Sequence, residues 1–328
     1  MKRILLILIS CVLLCGCSRM SEKELLHKFT KSVRNADSYY VVGDLELRNH
    51  DDIYRYQVDV SYEKKANYKV SLTNQANDST QIILKNSDGV YILTPSLNRS
   101  FKFQSDWPYQ NSQIYLLDAL LRDLKRDDLS MEKNDDGYIF QTSVDYPNNK
   151  DLTYQKIYFN KKLKLKKIIV YDKEDVPSME FTIKKIDYSP SFSKDYFDLE
   201  KIMGSQKMED TKETAELEDT IYPLILPDNT KLSNEEKIKK DRGERILMTF
   251  EGDSPFFLVE ETANVEEEFT VIPTSGEPYP LMDTLGVMTD NSLSWVSNGI
   301  EYYLVSDVLS SEELTKIAES IYALPTMK

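Results

Sequence analysis

Apolar and polar residues alternate with a period of two through much of this chain, the mark of strands that bury one face. In "IYRYQVDVSY" one face collects Tyr54, Tyr56, Val58, Val60 and Tyr62, and the other is largely polar. The segments "NYKVSL", "YIFQTSVDY", "YQKIYF", "LKLKKIIVY" and "MEFTIKKIDY" keep the same period. Turn signals separate several of them, "NSDG" at 86–89 before "VYIL" and "NDDG" at 134–137 before "YIF". No run of long helices alternates with these strands, so a parallel sheet of strand–helix–strand units is not expected. The pattern predicts one large antiparallel sheet, strongly curved or sandwiched, with few helices.

Helical spacing replaces the alternation in three places. In "SEKELLHKF", Ser21 and Glu24 form a capping box, Met20 can staple onto Leu25, and Leu25, Leu26, Phe29 and Val33 make an apolar stripe. In "NSQIYLLDALLRDLKRD", Ile114, Leu117, Leu121 and Leu124 share a face that Leu116 and Leu120 widen. Asp118, Arg122, Asp123 and Arg126 mark its polar side, and a helix over 111–126 is predicted. The last is "LSSEELTKIAESIYAL", with a Ser310–Glu313 capping box, a Leu309–Leu314 staple, and Leu314, Ile317 and Ile321 facing a core.

From 201 to 220 the chain loses β-branched and aromatic residues and becomes charged, which reads as a linker between two domains. Beyond it, "RILMTF", "PFFLVEE" and "EFTVIP" read as strands. "LSWVSNGIEYYL" reads as a hairpin whose Asn298-Gly299 turn pairs Trp295 with Tyr302 and Leu293 with Leu304. No strong internal repeat is visible.

The N-terminus adds a destination. Lys2 and Arg3 precede an apolar run, Ile4 to Leu14, too short to span a bilayer, which is the layout of a secretory signal. Its end, "LCGC", resembles the bacterial lipobox, so residues 1–16 read as a leader and Cys17 as the lipidation site. All three cysteines lie in this leader region, which leaves the mature domains without a thiol for a disulfide, a metal or nucleophilic attack. A net charge of −14 argues against nucleic acid and against a polybasic hold on anionic lipid. Membrane attachment then falls to a diacylglyceryl anchor, on the outer face of the cytoplasmic membrane.

Catalytic motifs are missing: no nucleophile elbow, phosphate-binding glycine loop, dinucleotide fingerprint or zinc-protease helix. The two histidines, His27 in the first helix and His50 in "NHDD", have no partner motif and read as surface residues. Carboxylates are many, but no pair stands out. No enzyme, metal or cofactor is expected.

The stretches "GVYILTPSLNRSFKFQSDWPYQNSQIYLLDALLRDL", "RILMTFEGDSPFFLVEE" and "SLSWVSNGIEYYLVSDVLSSEELTKIAES" resemble the sporulation lipoproteins of the YdcC type, within the wider LolA-like group that includes RseB and MucB. The resemblance implies an α+β fold: an unclosed antiparallel β-barrel over 17–200 covered by helices, then a smaller C-terminal α+β domain over 221–328. It makes "TPSLNRSF" a turn between barrel strands, with Pro95 ending "GVYIL". Helix 111–126 becomes a lid or plug, so that Trp107, Ile114, Leu117, Leu121 and Leu124 are the candidate lid and cavity residues. The same periodicity also serves a plain core helix. The implied function is holding an acyl chain, a lipoprotein or an apolar segment. The rival is an RseB-like sensor that docks on a membrane-protein partner through an apolar patch around Phe256, Phe257 and Trp295.

Overall fold

Strand alternation builds most of the molecule. The computed structural model describes residues 21–49, 52–64, 67–104, 107, 112–206, 217 and 219–321. Strands β1 (Ser38–Asn49), β2 (Asp52–Glu63), β3 (Asn67–Asn74), β4 (Thr80–Asn86), β5 (Gly89–Thr94) and β6 (Arg99–Phe103) follow one another as antiparallel neighbours. On the other side of β1 lie β11 (Pro177–Asp187), β10 (Leu165–Asp172), β9 (Leu152–Asn160), β8 (Gly137–Ser143) and β7 (Ser130–Lys133). The sheet has two ends and does not close. At Gly43 the β1–β11 register slips, and Phe181 lies over the strand. A Cβ at Gly43 would meet the Phe181 ring at 2.5 Å, so only glycine fits.

The inner face carries the expected set: Tyr56, Val58 and Val60 are buried, with Tyr54 and Tyr62 packed beside them. Two helices fill the concavity. Helix α1 (Glu22–Arg34) starts at the Ser21–Glu24 capping box and buries Leu25, Phe29 and Val33. Phe29 meets Phe159 of β9 edge-on at 5.1 Å. Helix α2 is shorter than its periodicity predicts, Leu117–Asp123 in place of 111–126. Asn111 lies outside the described residues, and Ile114 and Tyr115 sit in a turn. Tethering explains the late start: the Ser112 N–H donates to the Asp145 carbonyl at 2.9 Å, and its hydroxyl donates to Asp123.

The outer face of β4 and β5 is also covered. Helix α3 (Leu199–Gln206) sets Ile202 and Met203 against Ile82, Leu84, Tyr91 and Leu93. Residues 201–206 are thus helical and packed, and 207–216 and 218 lie outside the described residues.

The C-terminal domain is a second antiparallel sheet, ordered β12 (Lys231–Lys239), β13 (Glu244–Glu251), β14 (Phe256–Thr262), β19 (Ile300–Val305), β18 (Ser292–Ser297), β17 (Leu285–Met288) and β16 (Glu277–Pro280). Helix α4 (Ser311–Glu319), with its Ser310–Glu313 capping box, buries Leu314 and Ile317 against it. In the hairpin, Trp295 stacks on Tyr302 at 4.9 Å across the predicted register. Asn298 (φ 49°) and Gly299 (φ 80°) make its tight turn.

One strand departs from the expected all-antiparallel pattern. β15 (Thr270–Thr274) leaves the C-terminal sheet and pairs in parallel with β6 at the edge of the first sheet. The Thr94–Asn98 turn receives it. Pro95 ends β5 in a short 3-10 turn, Asn98 adopts φ 54°, and its carbonyl accepts the Thr270 N–H at 3.1 Å. A parallel strand needs a long connection, and here the strand that pairs comes from far along the chain, beyond the segment that links the two sheets.

Candidate functional site

The two domains meet over a partly open cavity of about 790 Å³. Its floor is Leu45 and Leu47 of β1, Tyr56 of β2, Leu72 of β3, and Ile114 and Tyr115 before α2. The opposite wall comes from the C-terminal domain, with Tyr279, Leu281, Met282 and Leu285 around β16 and β17, and Glu312, Thr315, Lys316, Glu319 and Ser320 of α4 and its cap. The loops at 146–152 and 172–179 complete the rim.

Hydrogen bonds lock the wall to the floor. Gln81 accepts the Leu285 N–H at 2.6 Å and the Thr284 hydroxyl at 2.9 Å, and Tyr56 donates to the Met282 carbonyl at 2.8 Å. Leu285 and Val287 then continue the core of the first sheet. Farther along, Arg99, almost fully buried, pairs with Glu301 at 3.1 Å. Most polar groups lining the interior are thus committed. The exceptions among buried side-chain atoms of lining residues are the Tyr115 hydroxyl and Arg48 Nε. Burial alone drives the Tyr115 phenol well above its ordinary value.

The rim is acidic. Asp151, Asp172, Glu174, Glu277, Glu312 and Glu319 line it, against the cations Arg48 and Lys316. Burial lifts the Glu319 carboxyl to about 7, with Lys316 opposing. Lys316 is itself bound to Glu312 at 2.8 Å.

Of the residues singled out from sequence, Ile114 lines the cavity. Trp107, Leu117, Leu121 and Leu124 are buried deeper, in the core between α2 and the concave sheet. Trp107 meets Tyr68 edge-on at 5.9 Å. The polar side expected for α2 is a correction: Asp118 accepts the Tyr39 and Tyr68 hydroxyls, each at 2.9 Å, and Asp123 is buried on Ser112, Gln155 and Arg126. Polar partners inside the sheet replace water there, which periodicity cannot reveal. Desolvation raises the Asp123 carboxyl despite those bonds. Of the expected patch, Phe256 and Trp295 are buried and only Phe257 is exposed, because adjacent strand residues face opposite ways. Cys17 and His50 lie outside the described residues. Among the described residues no group of three or more His, Cys, Asp and Glu could hold a metal, and no helix is long and apolar enough to cross a membrane. The C-terminal cavity wall was not foreseen, since "EPYPLMDTLG" carries no periodicity that marks it.

Fold and site together define an α+β protein with an unclosed half-barrel and a smaller second domain that walls a shared apolar cavity. No family model matches the chain. It is 33% identical over 319 residues, 96% of this chain and 94% of the relative, to Sporulation protein YdcC of Bacillus subtilis (strain 168), and it belongs to that protein's family. Solved structures that overlay on it include the Pseudomonas aeruginosa MucA/MucB complex, at 11% identity and TM-score 0.30, covering 90% of this chain and 98% of that one. LolA superfamily protein NE2245 from Nitrosomonas europaea matches at 15% identity and TM-score 0.30, covering 56% and 99%. At such scores the family assignment rests on the sequence match alone.

Proposed function

We propose that this protein is a lipid-anchored, non-enzymatic binding protein on the outer face of the cytoplasmic membrane. It holds an acyl chain, or another apolar segment such as that of a lipoprotein, in the cavity between its domains. The observation that carries this reading is the cavity itself: about 790 Å³, floored by leucines and tyrosines, against the roughly 300–1,000 Å³ of small-molecule sites. The anchor is supported by "LCGC" at Cys17 and by the capped helix that starts soon after it. The name of the Bacillus relative supports a role in sporulation, and a part in cell-envelope assembly belongs to the same proposal.

The test is binding of a fluorescent acyl probe to delipidated protein, together with native mass spectrometry of protein as purified. A single bound probe, or a co-purifying lipid, is expected. Met179→Trp, which pushes a larger side chain into the half-buried wall, is expected to weaken probe binding about tenfold or more. No binding to wild type, with clean apo masses, overturns the reading.

A second reading has its own observation. On the C-terminal sheet, Phe257 (55% exposed) and Tyr303 (44% exposed) lie on neighbouring strands, with Val308 nearby in sequence and also exposed. Such a face suits docking on a membrane-protein partner. Phe257→Asp with Tyr303→Asp is expected to abolish partner capture and leave acyl binding intact.

A further inference from the structure

The cavity interior and its mouth differ in chemistry, and together they specify a ligand. Buried Leu45, Leu47, Leu72 and Leu285 offer no hydrogen bonds, and Thr284, Thr315 and Ser320 spend their hydroxyls on the protein itself. A polypeptide would carry an amide every residue into this space and find few partners, and each buried amide left unpaired weakens binding. An aliphatic chain loses nothing there.

The mouth decides the head group. Six carboxylates (Asp151, Asp172, Glu174, Glu277, Glu312 and Glu319) face Arg48 and Lys316. Those two cations are already engaged: Arg48 turns Nη2 to Glu46 at 2.8 Å, and Lys316 bonds Glu312 and Asp151. Lys173 reinforces Asp151 from outside, at 2.8 Å. Even counting it, carboxylates outnumber cations six to three, and no ion pair within 4.0 Å forms at Asp172, Glu174 or Glu319 among the described residues. The chain's net charge of −14 adds to the same field. Glu319, lifted toward neutrality by burial with Lys316 opposing, gains an ionic partner when a cation arrives. Beside it, Ile225 lines the mouth, and Leu224 and Leu226 continue an exposed apolar strip outward. The Ile225 N–H is tied to the Ser320 hydroxyl at 3.1 Å.

We propose that the cavity selects a single-chain amphiphile whose head group is cationic, an ammonium on an alkyl or acyl chain, in preference to fatty-acid or phosphate heads. This rests on the apolar-ligand reading above and narrows it. The test compares dodecylamine, dodecanol and laurate by calorimetry on the delipidated full-length mature protein, with a lysine-flanked apolar peptide as a fourth probe. Dodecylamine is expected to bind about tenfold or more tighter than laurate at low salt, the gap shrinking as salt screens the mouth. Glu174→Gln with Glu319→Gln is expected to cut that preference several-fold while dodecanol binding stays unchanged, which also reports an intact fold. Equal or tighter binding of laurate, or an unchanged preference in the variant, overturns the head-group assignment and leaves the apolar cavity standing. Peptide binding without amphiphile binding overturns it in favour of a polypeptide ligand. Failure of every probe overturns the cavity reading itself.

Discussion

Glu260 in β14 is fully buried, with one carboxylate oxygen accepting the Ile221 N–H at 3.0 Å and the other without a partner. Burial, aided by nearby Glu235, raises it from 4.5 to about 7, and burial raises Glu319 to a similar value. A carboxyl whose folded pKa exceeds its unfolded one stabilises the fold in its neutral form. That stability is present in full below about 4.5 and is lost as pH rises through about 7. Melting temperature is therefore expected to rise between pH 8 and pH 5. Glu260→Gln should flatten that rise and add on the order of 2 kcal/mol at pH 8, as read by denaturant unfolding. At the other end of the chain, Cys17→Ser is expected to abolish fatty-acid labelling and release the protein from membranes; label retained by the variant would place the anchor elsewhere.

Among the elements, α2 owes its place to polar clips as much as to leucines. Asp123 gathers Ser112, Gln155 and Arg126, while Asp118 gathers two tyrosines of the concave sheet. Asp123→Ala strands the buried Ser112 and Gln155 donors and is expected to cost about 2–4 kcal/mol, measured by chemical unfolding. Leu121→Ala removes packing from the same helix and is expected to cost about 2–5 kcal/mol. If α2 acts as a lid, the Leu121→Ala loss will be small and the change will fall on acyl-probe binding instead.

At the scale of the molecule, the domains are tied by the β15–β6 pairing, the Arg99–Glu301 ion pair and the shared Leu285 and Val287 core. The charged segment 207–216 between them has little apolar surface to bury, so limited proteolysis is expected to cut there first. The two fragments are expected to co-elute on size exclusion under native conditions and to part only in denaturant. Separation without denaturant would mean that the interlock contributes little.

Local chemistry was legible from the chain alone: the strand alternation of β2, the capping boxes at Ser21 and Ser310, and the Asn298-Gly299 hairpin. Each depends on residues within a few positions of one another, so spacing is enough to specify it. The family resemblance was likewise readable, because it is a pattern of sequence. Periodicity could not tell water from a buried polar partner, and so it assigned Asp118 and Asp123 of α2 to solvent. It could not place β15 on another domain's sheet or bring residues 277–285 against β1 and β2. Nor could it gather six carboxylates from 151 to 319 around one mouth. Those are contacts between segments far apart in the chain, settled by which burial and hydrogen bonding the assembled fold can satisfy at once, and the cavity exists only there.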